Sequence, residues 1–574
     1  MDVQALIRSP LTFYLRRYWK PFTLGIIILI VTDFLDVLSP FFIAQTINAI
    51  NQKMGVTEIL RWTLYFLVTL LGLALTRYLW RVFFAQYNAE ASEHLRQHIF
   101  RKLLSLDLWY HQKKTTGELV STLINDIQAY RMAIGNGILV IVDGITITLF
   151  TIPLMWWIEP SWLIPTLIFV PFLPFVIRYI NNKIHFYFKL QQQELAQLSQ
   201  FIQETISGIR TIKSFVQESS RLKHFSQLNQ KLFEASEKLA PYDAAFGPIM
   251  ELAVALGSII LVFIAVDDLV TGTVTIGAFV AYQRYILKMV WPMTALGLGF
   301  SQFQKGLASF ERLKEILLEP VHIRSGPLPL TQFESIEFKN VSYRYHESSN
   351  SAITNLSFRL LAGEKVGILG PIGSGKSTLA QLMVRLMDPT TGEVDVNGRS
   401  LKEYDLVSLR NKIVLVTQEP ILFSLSVRDN LLISKANVSD ERIWEALEIV
   451  QISQEIQRMS EGLATRVGER GINLSGGQKQ RLALARALLS DAELLILDDA
   501  LSAVDIHTEH LILEQLKKLP LTMMIISHRL QVLKNCEKLM VINNGSLEAF
   551  GNRETLMKVS PTFKLLAQLQ GTNA

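Results

Sequence analysis

The sequence predicts a multidomain membrane protein: an all-α domain of six transmembrane helices with long cytoplasmic extensions, fused to an α/β domain that carries a phosphate-binding loop. Three observations predict it. Mean hydropathy is +0.27 with only 19% charged residues, too apolar for an ordinary soluble chain of 574 residues. Long apolar runs fill the chain before residue 305. From about residue 334, short β-rich runs alternate with helical ones around the stretch GPIGSGKST.

Six apolar segments, at roughly 21–49, 59–82, 133–158, 161–180, 244–266 and 275–300, each come near the ~20 residues a helix needs to cross hydrocarbon. The third and fourth are separated only by Glu159, Pro160 and Ser161, which predicts a tight helical hairpin. The first follows Arg16, Arg17 and Lys20 but runs to about Ala49 with no small-residue cleavage site, so it reads as a retained span. Ahead of it, Gln4 to Lys20 is amphipathic.

Basic residues set the orientation. The connections at about 83–132 (Arg96, Arg101, Lys102, Lys113, Lys114, Arg131) and 181–243 (Lys183, Lys189, Arg210, Lys213, Arg221, Lys223) are rich in them, and the other three are short and nearly free of them. Both termini are therefore expected in the cytoplasm, with the protein multi-pass in the cell inner (cytoplasmic) membrane. Apolar residues at helical spacing run through ELAQLSQFIQETISGIRTIKSF, so the two large inner loops are expected to be helices continuing the spans. Thr115 and Glu118 stand at capping-box spacing. Asp33, Asp36, Asp143, Arg284 and Lys288 fall in or at the edge of spans, where a central charge costs about 2.5–3.5 kcal/mol. The residues alone leave two readings open for them, a substrate path or pairs between helices.

Prolines cluster in EPVHIRSGPLPL, which places a membrane domain at 1–318, a linker at 319–333 and a second domain at 334–574. There SIEFKNVSYRY, KVGILG, IVLVTQ, LLILD and TMMIIS read as strands of a largely parallel sheet. A net charge of +5 without long basic tracts argues against a nucleic-acid partner, and the single Cys536 rules out an internal disulfide.

The loop Gly370, Pro371, Ile372, Gly373, Ser374, Gly375, Lys376, Ser377, Thr378 fits G-x-x-x-x-G-K-[ST] between a strand and a helical run. Its glycines let backbone N–H groups turn inward on phosphate oxygens, Lys376 adds a cation, and the Ser377 hydroxyl is placed to hold Mg²⁺. The strand LLIL ends in Asp498, expected to hold the metal shell from the other side, which leaves Asp499 for the attacking water.

LSGGQ, Leu474 to Gln478, together with this loop resembles the signature of the ATP-binding cassette superfamily. Six spans ahead of one cassette resemble a half-transporter with the type I exporter fold, over nearly the whole chain. The resemblance implies ATP and Mg²⁺ as cofactors. It matches Tyr345 to the aromatic that stacks on adenine, and Gln418 to the Q-loop glutamine that touches Mg²⁺. Ser475, Gly476, Gly477 and Gln478 match the signature that reaches an ATP held by the opposing cassette. Asp505 matches the D-loop aspartate and His528 the switch histidine. It also implies that short helices at the inner-loop tips, around Thr115 to Leu123 and Glu204 to Phe215, carry force to the cassettes, and that Gln4 to Lys20 is an elbow helix on the inner membrane surface.

One residue departs from the pattern. The family follows the metal aspartate with Glu, and Asp499 is one methylene, roughly 1.5 Å, shorter than a base that must come within about 2.6–3.2 Å of its proton. Misplacement by ~1 Å costs on the order of 100-fold in rate. The chain therefore resembles the subunit with the altered site in heterodimeric bacterial multidrug exporters: its partner is expected to be a second half-transporter, and its cargo a hydrophobic small molecule or lipid. A homodimer in which Asp499 works, exporting lipids or peptides, and an ATP-gated regulator that transports nothing are the alternatives.

Overall fold

The computed structural model describes residues 2–169, 172–346, 349–468, 471 and 473–570. The chain divides into two compact units, one of residues 1–104 and 115–319, the other of residues 105–114 and 320–574.

The first unit is helical. Among the described residues, four helical stretches are long and apolar enough to cross a membrane: Trp19–Asn51, Val56–Ser105, Thr116–Ile158 and Glu218–Thr271. At 50 residues, Val56–Ser105 is about 75 Å long, far more than a bilayer needs, and it carries the second apolar run onward into the first inner loop. Hydroxyls inside these helices bond back to the preceding turn, as in Thr32 to Ile28 O at 2.7 Å and Thr69 to Tyr65 O at 2.8 Å, because hydrocarbon offers no other acceptor.

The fourth and sixth expected spans are each divided. Helix Pro160–Leu167 gives way to Leu173–Ser207, and Ile276–Lys288 is separated from Val290–Leu318 at Met289. Pro292 explains the second break, since its ring collides with the carbonyl one turn earlier. The helical stretch Thr116–Ile158 also contains two π turns, Thr122–Asp126 and Ala133–Gly137. Both face the helix Val290–Leu318, and Arg312 on that helix holds Asp126 with two nitrogens, one at 3.0 Å.

Charges in the apolar runs pair between helices. Asp36 accepts from Arg77 at 3.1 Å and also from Lys288, Asp33 accepts from the Thr146 hydroxyl, and Asp143 accepts from the Trp291 indole. Arg284 is exposed.

The second unit contains two sheets. One is antiparallel in the order β2-β1-β4-β5, formed by β1 (Ser335–Tyr343), β2 (Ile353–Leu361), β4 (Thr391–Val396) and β5 (Arg399–Ser400). The other runs β10-β9-β3-β8-β7-β6, from β3 (Lys365–Leu369), β6 (Ile413–Val416), β7 (Leu494–Asp498), β8 (Thr522–Ile526), β9 (Lys538–Asn543) and β10 (Ser546–Gly551). All but β10 are parallel there. Each residue of β7 and β8 is buried, which is why LLIL and TMMII are unbroken apolar runs rather than alternating ones.

Residues 105–114 belong to this second unit although they lie in the first inner loop. Their helix, Leu108–Lys113, starts after Asp107, whose carboxylate turns away from capping it. It accepts instead from the backbone N–H groups of His322 and Ile323, each at 3.1 Å, and from the His322 ring at 2.8 Å. Trp109 packs on His346 at 4.7 Å. The capping-box segment does form a helix, Thr116–Ser121, with Thr115 accepting from Glu118 N at 3.2 Å, but it stays with the first unit. The aromatic stretch just before Thr115–Leu123 is thus the part of this inner loop that belongs to the second unit.

Candidate nucleotide site

Four neighbouring parallel strands deliver their C-terminal ends to one edge of the sheet. β3 runs into Gly370–Thr378, β7 ends on Asp498, β8 is followed two residues later by His528, and β6 two residues later by Gln418. An open parallel sheet binds ligands at such an edge, because the loops leaving adjacent strands converge there.

The loop after β3 is wound by left-handed glycines, Gly373 at φ +80° and Gly375 at φ +97°. A side chain at Gly375 would also strike the Ala352 carbonyl at 2.4 Å, so both conformation and space demand glycine. Lys376, first residue of the helix Lys376–Met383, folds over the loop and donates to Gly370 O at 2.9 Å, Pro371 O at 2.7 Å and Ser374 Oγ at 3.2 Å. Burial lowers its pKa, with Asp498 and Asp499 opposing the shift. Ile372 stands on the loop crest, 99% exposed, while Ser374 and Thr378 are buried below it. The Tyr345 hydroxyl lies 3.1 Å from Thr378 Oγ1, bringing the aromatic beside the loop.

The Ser377 hydroxyl stands beside the buried Asp498 carboxylate. Burial raises the Asp498 pKa and the charge of Asp499 adds to the rise, while Ser377 and Lys376 work against it. A hydroxyl and a carboxylate oxygen are hard donors that suit Mg²⁺, and among the described residues no group of three His, Cys, Asp or Glu could hold a metal by itself. Gln418 is exposed and joins the network through its main chain.

Asp499 takes φ +48°, a left-handed conformation that aspartate tolerates better than most residues. That twist directs the two consecutive carboxylates apart. The Asp499 N–H still donates to Ile526 O at 3.0 Å, and its Oδ2 lies 3.1 Å from His528 Nδ1.

The signature begins the helix Gly476–Leu488 with a full capping box: Gln478 N donates to Ser475 Oγ at 3.2 Å and Ser475 N to Gln478 Oε1 at 2.8 Å. Gln478 also donates to Glu455 at 2.7 Å. Gly476 and Gly477 lie against Ala503, where a methyl on Gly477 would meet the Ala503 carbonyl at 2.8 Å. Asp505 caps the helix Ile506–Lys518 by accepting from Thr508 N at 3.0 Å. Among the described residues no hydrogen bond joins the signature to the loop after β3. Reading by motif missed Gln480, Ser502, Glu509 and Arg529, which bond the site segments to one another. One signal was available: Gln480 is a buried polar residue on a helix whose other buried positions are mostly Leu and Ala.

Comparison with known proteins bears on the whole chain. Residues 22–293 match the ABC transporter transmembrane region and residues 353–502 match the ABC transporter family model. The multidrug resistance-like ATP-binding protein MdlA of Buchnera aphidicola (subspecies Schizaphis graminum) is 33% identical, covering 97% of this chain and 97% of its own length. The chain belongs to the ATP-binding cassette (ABC) transporter family. Escherichia coli MdlA is 30% identical over 99% of this chain and 97% of its own, and the ATP-dependent lipid A-core flippase of Desulfotalea psychrophila is 31% identical over 82% of each. A solved bacterial Atm1-family ABC exporter with ATP bound superposes with a TM-score of 0.79 at 23% identity, covering 98% of this chain and 99% of that one. The ABC chain described here thus has the type I exporter fold, a mostly helical membrane domain fused to a C-terminal α/β ATPase domain. It is an ATP hydrolase coupled to transmembrane transport.

Proposed function

We propose that this ABC exporter moves hydrophobic or amphipathic compounds out across the cytoplasmic membrane as one half of a heterodimer, and that the ATP held by its own loop turns over slowly. The observation that carries the reading is Asp499. The residue that follows the metal aspartate is a short carboxylate whose Oδ2 lies 3.1 Å from His528, so it orients the histidine while reaching less far toward an attacking water.

In this reading Gly370–Thr378 binds the phosphates, with Lys376 as the fixed cation, and Tyr345 supports the adenine. Ser377, Asp498 and the Gln418 side chain hold Mg²⁺, which stabilises charge on the phosphates when bound. Ser475, Gly476, Gly477 and Gln478 serve the ATP of the partner half-transporter, whose own site supplies the faster turnover. The second inner loop supports a partner chain, since its tip carries Phe215 at 70% and Val216 at 77% exposure, apolar surface that calls for a cover. Two relatives named for multidrug resistance and one for lipid flipping support a greasy cargo.

Purification of the tagged chain from its native membranes tests the pairing. A second half-transporter carrying Glu after its metal aspartate is expected in equal amount. A symmetric assembly of this chain alone that hydrolyses ATP quickly through Asp499 at both interfaces would overturn it. ATP-driven dye accumulation in inverted vesicles separates export from mere gating.

A further inference from the structure

The N–H, the hydroxyl oxygen and the carbonyl of Ser502 each meet a different part of the nucleotide site. Its N–H donates to the Asp499 carbonyl at 3.2 Å. Its hydroxyl accepts from Gln480 Nε2 at 3.0 Å, and its carbonyl accepts from Arg529 Nη2 at 2.6 Å. Gln480, 4% exposed on the signature helix, uses its second Nε2 proton on the Gln418 carbonyl at 3.0 Å, and its Oε1 accepts from Ala503 N at 2.8 Å. With a carbonyl on one side and an N–H on the other, only one orientation of this amide satisfies its neighbours. Arg529 follows His528 directly and is aimed by Glu509, which accepts from Nη1 at 3.0 Å. Glu509 is itself buried.

We infer that Gln480 and Arg529 are positioning residues that clamp Ser502, so that a shift of Gln418, of the Asp499 turn or of the His528 turn is passed to the segment Ala503–Asp505. Neither residue reaches the loop after β3, so the clamp governs how fast the ATP facing this chain's signature turns over and not how tightly the nucleotide is held. The segment it aims begins at Ala503, which also packs against Gly476 and Gly477 of the signature. One clamp therefore sets the relation between the signature and the acid end of the chain's own site. The inference concerns this coupling alone, and its failure would leave the unequal pairing proposed above untouched.

The test uses the full-length transporter in lipid nanodiscs. Gln480→Glu keeps the acceptor for Ala503 but loses both donated hydrogen bonds, and Arg529→Lys keeps the Glu509 ion pair but loses the Nη2 hydrogen bond to the Ser502 carbonyl. Acting through the signature on the ATP that dominates turnover, each is expected to lower kcat of the assembled transporter by roughly fivefold or more while KM stays within about twofold. The double variant is expected to fall no further than the worse single one, because both act through Ser502. Unchanged kcat, a KM that rises in step with the fall in kcat, or losses that multiply in the double variant would each overturn the clamp.

Discussion

The two halves of the cassette site differ in how they are finished. The half built on Gly370–Thr378 combines a fully formed phosphate loop with a carboxylate one methylene shorter than the pattern, tied to His528. The signature half has its capping box, its glycine contacts and its bonds to Gln418 and Ser502 all in place. The loop geometry and the signature packing are thus both intact, and the departure from the family pattern falls on the single side chain of Asp499, which also meets His528.

Perturbing each half separately sharpens this contrast. The largest effect is expected from Gly477→Ala, whose methyl meets the Ala503 carbonyl at 2.8 Å, a backbone atom that cannot step aside. Overpacking of this kind costs about 1–3 kcal/mol, and ATP turnover of the assembled transporter should fall by roughly 10- to 100-fold. Next, Lys376→Ala should weaken nucleotide binding at the slow site by about tenfold, measured by photolabelling of this chain, because a charge-assisted contact is lost. Unaltered labelling would contradict the role given to that lysine.

A smaller effect is expected at Asp499. Under the proposed pairing, Asp499→Glu should raise turnover by roughly twofold to fivefold and Asp499→Asn should change it little. Loss of all turnover in Asp499→Asn would erase the contrast between the halves. The smallest effect is on stability. The Asp498 pKa is raised in the fold, chiefly by burial. A carboxyl raised in this way contributes its stability in full at acid pH and loses it as pH rises through the folded-state value. Asp498→Asn, neutral throughout, should therefore raise Tm by about 2 °C at neutral and alkaline pH, with the gain vanishing below the ordinary carboxylate range, while hydrolysis at this chain's own site alone is lost. Calorimetry across pH reads the sign directly.

Much of this site was legible in the linear chain. Phosphate loops, metal aspartates and signature turns are built from consecutive residues, so their geometry is local and their spacing carries it. All five strands read from apolar runs are present as β1, β3, β6, β7 and β8. The network around Ser502 was not legible, because Gln480, Glu509 and Arg529 are polar residues whose importance comes from partners 20 or more positions away. The assignment of residues 105–114 to the second unit was not legible for a similar reason. Capping chemistry marks where Thr116–Ser121 begins, but Trp109 finds its place through His346, which is far away in the chain.

Apolar run lengths, basic-loop asymmetry and motif spacing were enough to divide the chain into membrane and ATPase halves and to pick out the short acid, since each depends on neighbours along the backbone. Packing alone brought residues 105–114 onto the cassette unit, paired Asp36 with Arg77 and Lys288, and turned Asp499 toward His528. Those outcomes depend on which distant groups arrive to satisfy a buried charge or an unmade hydrogen bond, and a one-dimensional pattern does not record that arrival.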